Sequence, residues 1–306
     1  MSESRSHLVR FAWLSIAAAI VTIAMKTIAW WITGSVGLLS DAAESLVNLA
    51  AAIMALFMLI IAARPPDEHH HFGHDKAEYF SAAVEGVLIF VAAVLIVVSA
   101  IERLLNPRPL EALSYGVLIS SAAAAINGVV GMILIRAGRK YRSPTLVADG
   151  KHLWTDVVTS AGVVVGVALV WLTGWDTLDA IVALLVGANI IFTGVKLIRD
   201  STLGLMDHTL PQEENQAIAK ILAGFSNDDV QFHGLRTRAS GSQRFAIVDM
   251  LVPGAWTVQQ GHDLAEAVEE RVGSELGDIL MQIHLEPKED PRAYGDFDVE
   301  VPIPNS

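Results

Sequence analysis

Four polar residues interrupt two otherwise apolar stretches at the same spacing: Glu44 and Asn48 in DAAESLVN, and His152 and Asp156 in DGKHLWTD. Each pair is i,i+4, so in a helix its two side chains share one face. Ionisable groups inside an apolar span are costly, and their default reading is a functional site. A rise of about 1.5 Å per residue puts Glu44 about 12 Å and Asn48 about 18 Å below one boundary. The same count puts His152 about 12 Å and Asp156 about 18 Å in from the opposite boundary. Across a core of about 30 Å, Glu44 then levels with Asp156, and Asn48 with His152. One imidazole nitrogen with carboxylate and amide oxygens suits a divalent first-row metal, Zn²⁺ taking four ligands in a tetrahedron. The same groups bind protons, so an arriving metal displaces them.

Asp41 and Asp149 lie one turn away on the same faces, closer to the boundary. Their alternatives are a ligand on the access route, a helix cap or plain interfacial solvation. Glu85 reads as paired with a neighbouring helix, and Lys26 as snorkelling outward. A second cluster, PPDEHHHFGH, brings acids and histidines together in a short loop, with His70 and His74 at i,i+4. Its alternatives are a metal site and a solvated loop.

The elements that must position these residues are six apolar runs near the ~20 residues needed to cross a bilayer. They cover 11–33, 36–62, 80–100, 115–135, 146–172 and 178–198. Short links after the first and fifth make those pairs helical hairpins. Lys and Arg set the orientation. Arg5, Arg10, Arg64, Lys76, Arg136, Arg139, Lys140, Arg142, Lys196 and Arg199 fall on one side, and only Arg103 and Arg108 on the other. Both termini are therefore expected in the cytoplasm. Trp30, Trp31, Trp171 and Trp175 fall near the outer boundary, as interfacial aromatics should.

After Asp207 the pattern changes. A helix is expected over 211–225 with Pro211 in its first turn, strands over 230–238 and 244–252, and a helix over 257–272 opened by a Thr257/Gln260 capping box. A last strand is expected over 279–286, giving αββαβ. The expected fold class is thus an all-α six-helix transmembrane domain (1–206) followed by a cytoplasmic α+β domain (207–290). A loose acidic tail (291–306) is expected to close the chain.

Composition agrees. Of 306 residues, 53% are hydrophobic and 18% charged, too apolar for an ordinary soluble protein. From Asp207 onward there are 18 acidic and 7 basic residues, nearly all of the chain's net charge of −12. An acidic soluble part excludes nucleic-acid binding, which needs basic phosphate contacts, and fits cation collection. The chain has no cysteine, excluding disulfides and thiolate metal sites. The start lacks the small-residue cleavage site of a signal peptide.

Over nearly its full length the chain resembles the cation diffusion facilitator family. The resemblance rests on SVGLLSDAAESLVN in span two, FGHDKAE before span three, KHLWTD in span five and LMDHTLP after span six, with the αββαβ end. It implies a homodimeric metal²⁺/H⁺ antiporter, not an enzyme, that expels zinc and related metals from the cytoplasm. The implied partners are a second copy, membrane lipid, divalent metal ions and protons. The soluble domain is implied to be copper-chaperone-like and to dimerise around bound metal. By motif, the transport site is Glu44, Asn48, His152 and Asp156, the loop site Asp67, His70 and His74. The dimer-interface metal positions are His233, Asp249, His262, His284 and Glu286. His284 and Glu286 alternate along one strand and so face one side. The chain departs from a frequent family pattern at Glu44, where His or Asp is common, and at Asn48, where Asp is common; Asp249 replaces the His of some relatives. A neutral Asn lowers the site's charge by one and opens the metal identity. Zn²⁺ and Cd²⁺ fit best, with Fe²⁺, Co²⁺ and Mn²⁺ as alternatives, and His152 weighs against a pure Mn²⁺ site. A membrane metal sensor that does not transport is the remaining alternative. The short, histidine-free loop between spans four and five points to a prokaryotic chain in a plasma (inner) membrane.

Overall fold

The structure is a computed structural model describing residues 3–33, 36–106, 115–175, 177–295 and 299–304. The chain divides into two units, Met1–Thr202 and Leu203–Ser306.

Among the described residues, six long helices build the first unit: α1 (Glu3–Thr33), α2 (Val36–Ala62), α3 (Ala77–Leu105), α4 (Tyr115–Tyr141), α5 (Pro144–Thr173) and α6 (Thr177–Leu205). They hold 27 to 31 residues. At about 1.5 Å per residue each exceeds a hydrocarbon core of about 30 Å. The apolar runs stop short of the start of α1 and of the ends of α3, α4 and α6. Arg, Lys, Glu and Ala at the ends are good helix formers, so the backbone stays helical past the last apolar residue. Four segments among the described residues are long and apolar enough to cross a membrane: Leu8–Ile28, Ala77–Leu105, Ser121–Tyr141 and Ala180–Leu205. The other two long helices, α2 and α5, carry the paired polar motifs. Phe57, Phe80, Leu95, Leu185 and Phe192 point outward from the helices, as a lipid-facing surface requires.

α4 and α5 form a hairpin with only Arg142 and Ser143 between them. Arg142 takes the left-handed conformation (φ 55°), and the Ser143 N–H returns to the Gly138 carbonyl at 2.8 Å, the closing bond of a Schellman turn. Ser143 Oγ then accepts the Leu146 N–H at 3.3 Å, capping α5, whose first residue is Pro144. Ser143 also donates to the Glu78 carboxylate and Thr145 Oγ1 to the Glu78 carbonyl (3.1 Å), which ties the start of α5 to the start of α3.

The lengthwise fit of α4 on α5 depends on two glycines. A Cβ on Gly131 would sit 2.9 Å from the Gly150 carbonyl oxygen, and a Cβ on Gly150 2.8 Å from the Gly131 carbonyl oxygen. Without a hydrophobic drive between helices in lipid, such small residues allow the close backbone approach that packs them. α1 packs on α2 and α4, and α3 on α5 and α2.

The second unit holds α7 (Gln212–Phe225), β1 (Gln231–Ser240), β2 (Gln243–Val252), α8 (Val258–Leu276) and β3 (Leu280–Pro287). The strand order is β1-β2-β3, with β1 and β2 antiparallel and β2 and β3 parallel. This is the expected αββαβ chain. Pro211 precedes α7, and Thr257 and Gln260 form both bonds of the capping box on α8. Ile218, Leu222, Phe232, Val248, Met250 and Val268 fill the core between helices and sheet. Arg244 reaches from β2 to Glu214 of α7 (3.1 Å) and to the Leu276 carbonyl ending α8 (2.8 Å).

The tail is not loose. Its acidic composition hides an apolar alternation, Val301 and Ile303, that packs into the core of the second unit. The Val301 N–H bonds the Leu235 carbonyl at 2.8 Å, and Glu300 accepts the Gly234 N–H at 2.6 Å. Gly234 (φ 65°) lies in the irregularity that shifts the β1–β2 register between His233 and Arg236. Before that, Pro291–Tyr294 forms a short 3₁₀ turn capped by Asp290, whose carboxyl the Arg292 side chain holds down at about 2.

Candidate metal centre

Three helices converge on the Asp156 carboxylate. Asn48 of α2 donates from Nδ2 to Asp156 Oδ2, and its Oδ1 lies 2.6 Å from His152 Nε2. An amide oxygen only accepts, so Nε2 of His152 carries the hydrogen in this arrangement. Asn127 of α4 donates from Nδ2 to the same Asp156 oxygen at 3.3 Å. Asn48, His152 and Asn127 are buried. Depth counting had set Asn48 level with His152, and the two are in direct contact. Asp156, one turn on from His152, reaches the same amide. The side chains of Glu44 and Asp41 lie outside the described residues; the α2 backbone that carries them is helical.

Asn127 is the residue sequence reasoning missed. It is 2% exposed, and its Oδ1 has no hydrogen-bond partner among the described residues. The available signal was a lone polar residue inside the otherwise apolar AAAAINGVVG run. The Gly131–Gly150 contact one turn away sets α4 against α5 so that Asn127 faces Asp156.

Around this centre lie polar groups that the sequence placed differently. Asp149 is buried rather than solvated at the boundary, and accepts from Ser15 Oγ of α1 at 3.1 Å. Glu85 is fully buried, bonded to Ser81 of its own helix at 3.4 Å, and close enough to Asp149 for their charges to interact. Lys26 does not snorkel: it is 7% exposed and its Nζ donates to Ser45 Oγ of α2 at 2.9 Å. A serine three residues before Asn48 offers the ammonium a partner inside the bundle, so it need not reach the interface.

The loop between α2 and α3 does assemble its cluster. Asp67, His70 and His74 place one ligand atom each within 4.8 Å of one another. Asp67 Oδ1 accepts the N–H groups of His69 (2.9 Å) and His70 (2.8 Å) and meets His70 Nδ1 at 3.0 Å. His74 Nε2 lies 3.3 Å from the other carboxylate oxygen. Gly73, at φ 81°, turns the chain so that His74 comes back over Asp67 and His70. The His69 backbone N–H, with the His70 ring and N–H behind it, holds the Asp67 carboxyl below the usual aspartate range.

In the second unit, pairing of three strands brings His233, Asp249 and Glu286 within 4.8 Å. His233 stands opposite Asp249, and Asp249 beside His284, across the sheet. Glu286 bridges the histidines, one oxygen 3.5 Å from His233 Nε2 and the other 3.5 Å from His284 Nε2. His262 is not drawn into this set; it is exposed on α8.

Carboxylate and imidazole donors in all three places, joined by amides at the first, match borderline to hard divalent cations. Comparison with known proteins agrees. Residues 12–206 match the cation efflux transmembrane domain, and 210–288 the cytoplasmic domain of cation efflux proteins. An uncharacterized transporter of Synechocystis sp. (strain PCC 6803) is 51% identical over 284 residues, 93% of this chain and 92% of that one. The cation-efflux pump FieF of Klebsiella pneumoniae is 31% identical over 288 residues, covering 94% and 95%. The cation-efflux pump FieF of Cronobacter sakazakii is 32% identical over 278 residues, covering 91% and 92%.

Proposed function

The chain belongs to the cation diffusion facilitator, or cation efflux, family, and on that premise we propose that it expels Zn²⁺ from the cytoplasm in exchange for protons. Membership makes it a membrane transporter of divalent metal cations, not an enzyme. The observation that carries the finer reading is the meeting of Asn48, His152 and Asp156 on one point between α2 and α5.

The polar hydrogens at this point mark where a cation would go. Asp156 accepts amide hydrogens, and His152 Nε2 donates its own to Asn48. A metal arriving from the cytoplasm takes the positions of these hydrogens. Asp156, His152 Nε2 and the Asn48 oxygen become ligands, with the Glu44 carboxylate, one turn from Asn48, as the fourth. In the proton-loaded state the imidazole carries hydrogens on both ring nitrogens; metal binding releases the Nε2 proton and leaves the neutral imidazole as the ligand. Alternating access then opens the site outward, where protons return to His152 and the carboxylates and release the metal. Cd²⁺ suits the same ligands.

In the working protein, two copies sit in the inner membrane of a prokaryotic cell with both termini in the cytoplasm. Asp67, His70 and His74 gather metal near the cytoplasmic mouth. His233, Asp249, His284 and Glu286 bind it in the soluble part and couple the metal level to the dimer.

Asp156→Ala tests the assignment in proteoliposomes. Zn²⁺ uptake should fall at least about a hundredfold, the upper range for disturbing even a ligand's outer partner. Uptake equal to the parent chain would rule this site out. Zn²⁺ binding with no flux in the parent chain would make it a sensor.

A further inference from the structure

We propose that Asn127 of α4 is a fifth metal-binding group of the transport centre and widens its cation range beyond Zn²⁺. This inference rests on the transport site assigned above.

Three observations point to it. Asn127 lies 3.3 Å from Asp156 Oδ2, the same oxygen that Asn48 engages, so it borders the space a bound cation would occupy. It is almost wholly buried, and its Oδ1 has no hydrogen-bond partner among the described residues. Buried amide oxygens are rarely left so, because water is given up with nothing in return. The group is also held in place: Gly131 and Gly150 bring α4 onto α5, and no larger residue fits at their contact.

An asparagine amide is nearly symmetric in shape, with a donor at one end and an acceptor at the other. Half a turn about its last side-chain bond exchanges the two without new space. In the present arrangement the amide nitrogen donates to Asp156. Once a cation sits on Asp156, the same position favours the oxygen end, which the turn brings to the metal. The free lone pairs of Oδ1 then find a partner, and the contact with Asp156 passes through the cation.

The chemical consequence is coordination number. Glu44, Asn48, His152 and Asp156 suffice for the tetrahedron Zn²⁺ prefers. A fifth, oxygen donor adds little for Zn²⁺ but matters to cations that take more ligands and favour oxygen, Mn²⁺ above all. Asn127 is therefore a specificity-determining residue.

The test uses the full-length chain in proteoliposomes, with MnCl₂ and ZnCl₂ as separate substrates, for the parent chain, Asn127→Ala and Asn127→Asp. Asn127→Ala should lower Mn²⁺ uptake about tenfold, at the low end of what an outer partner of a metal site contributes. Zn²⁺ uptake should change less than about threefold, so the Zn²⁺:Mn²⁺ ratio rises. Asn127→Asp, the same shape with oxygen at both ends, should push the ratio toward Mn²⁺ relative to the parent chain. A purely structural asparagine would lower both metals by the same factor, and an unchanged ratio in both variants overturns the proposal. If Asn127→Ala proves too poorly folded to assay, Asn127→Asp decides alone: a ratio unchanged or shifted toward Zn²⁺ overturns the proposal. Loss of the site assignment itself would show differently, as full Zn²⁺ uptake in Asp156→Ala.

Discussion

A single carboxylate, Asp156, gathers hydrogen bonds from two amides on two other helices. Spacing alone brought three members of this group together, because i,i+4 periodicity and depth are both linear in sequence. Asn127 was invisible to that logic. It is neutral, has no partner in its own helix, and becomes part of the site only through packing of α4 on α5. Lys26 misled for a related reason: its partner, Ser45, is nineteen residues away on the next helix. At the loop cluster, the backbone N–H of His69 keeps Asp67 ionised below the usual aspartate range. Metal there competes with protons for imidazole and carboxylate ligands that must be deprotonated to bind. Metal counted per chain by elemental analysis after dialysis at pH 7 and pH 5 should fall on acidification. The double variant His70→Ala/His74→Ala should bind one ion fewer at pH 7 and lose less on acidification. Equal counts for parent and variant at pH 7 would remove the loop as a metal site.

The helices as elements were legible, because long apolar runs admit few other readings. Their ends were not. Interfacial Arg, Lys and Glu extend a helix without extending its hydrophobicity, and the turn at Arg142–Ser143 depends on a left-handed arginine that no turn residue announces. The tail was misjudged because acidity masks the inward pair Val301 and Ile303. The α4–α5 contact predicts a specific failure. In Gly131→Val the new Cβ would fall 2.9 Å from the Gly150 carbonyl oxygen. Overpacking of this kind costs about 1–3 kcal/mol, and separating the helices would withdraw Asn127 from Asp156. Thermal unfolding of the purified chain should move down and metal flux should drop. A variant with unchanged stability and flux would show that α4 does not hold the site.

Across the whole molecule, metal-type donors recur in three settings: within the helical unit, in its α2–α3 loop, and on the sheet of the second unit. The acidic excess after Asp207 gives the soluble part a general attraction for cations, while the selective step is proposed for the buried centre. In the proposed transport cycle, metal and protons compete for the Asn48–His152–Asp156 centre and therefore cross in opposite directions. The most direct measurement is simultaneous recording of a Zn²⁺ dye and a pH dye inside proteoliposomes carrying the full chain. Zn²⁺ entry should be accompanied by proton exit, an imposed proton gradient should drive Zn²⁺ against its own gradient, and both signals should vanish in Asp156→Ala. Zn²⁺ entry with no proton movement, or entry that ignores an imposed pH gradient, would contradict it.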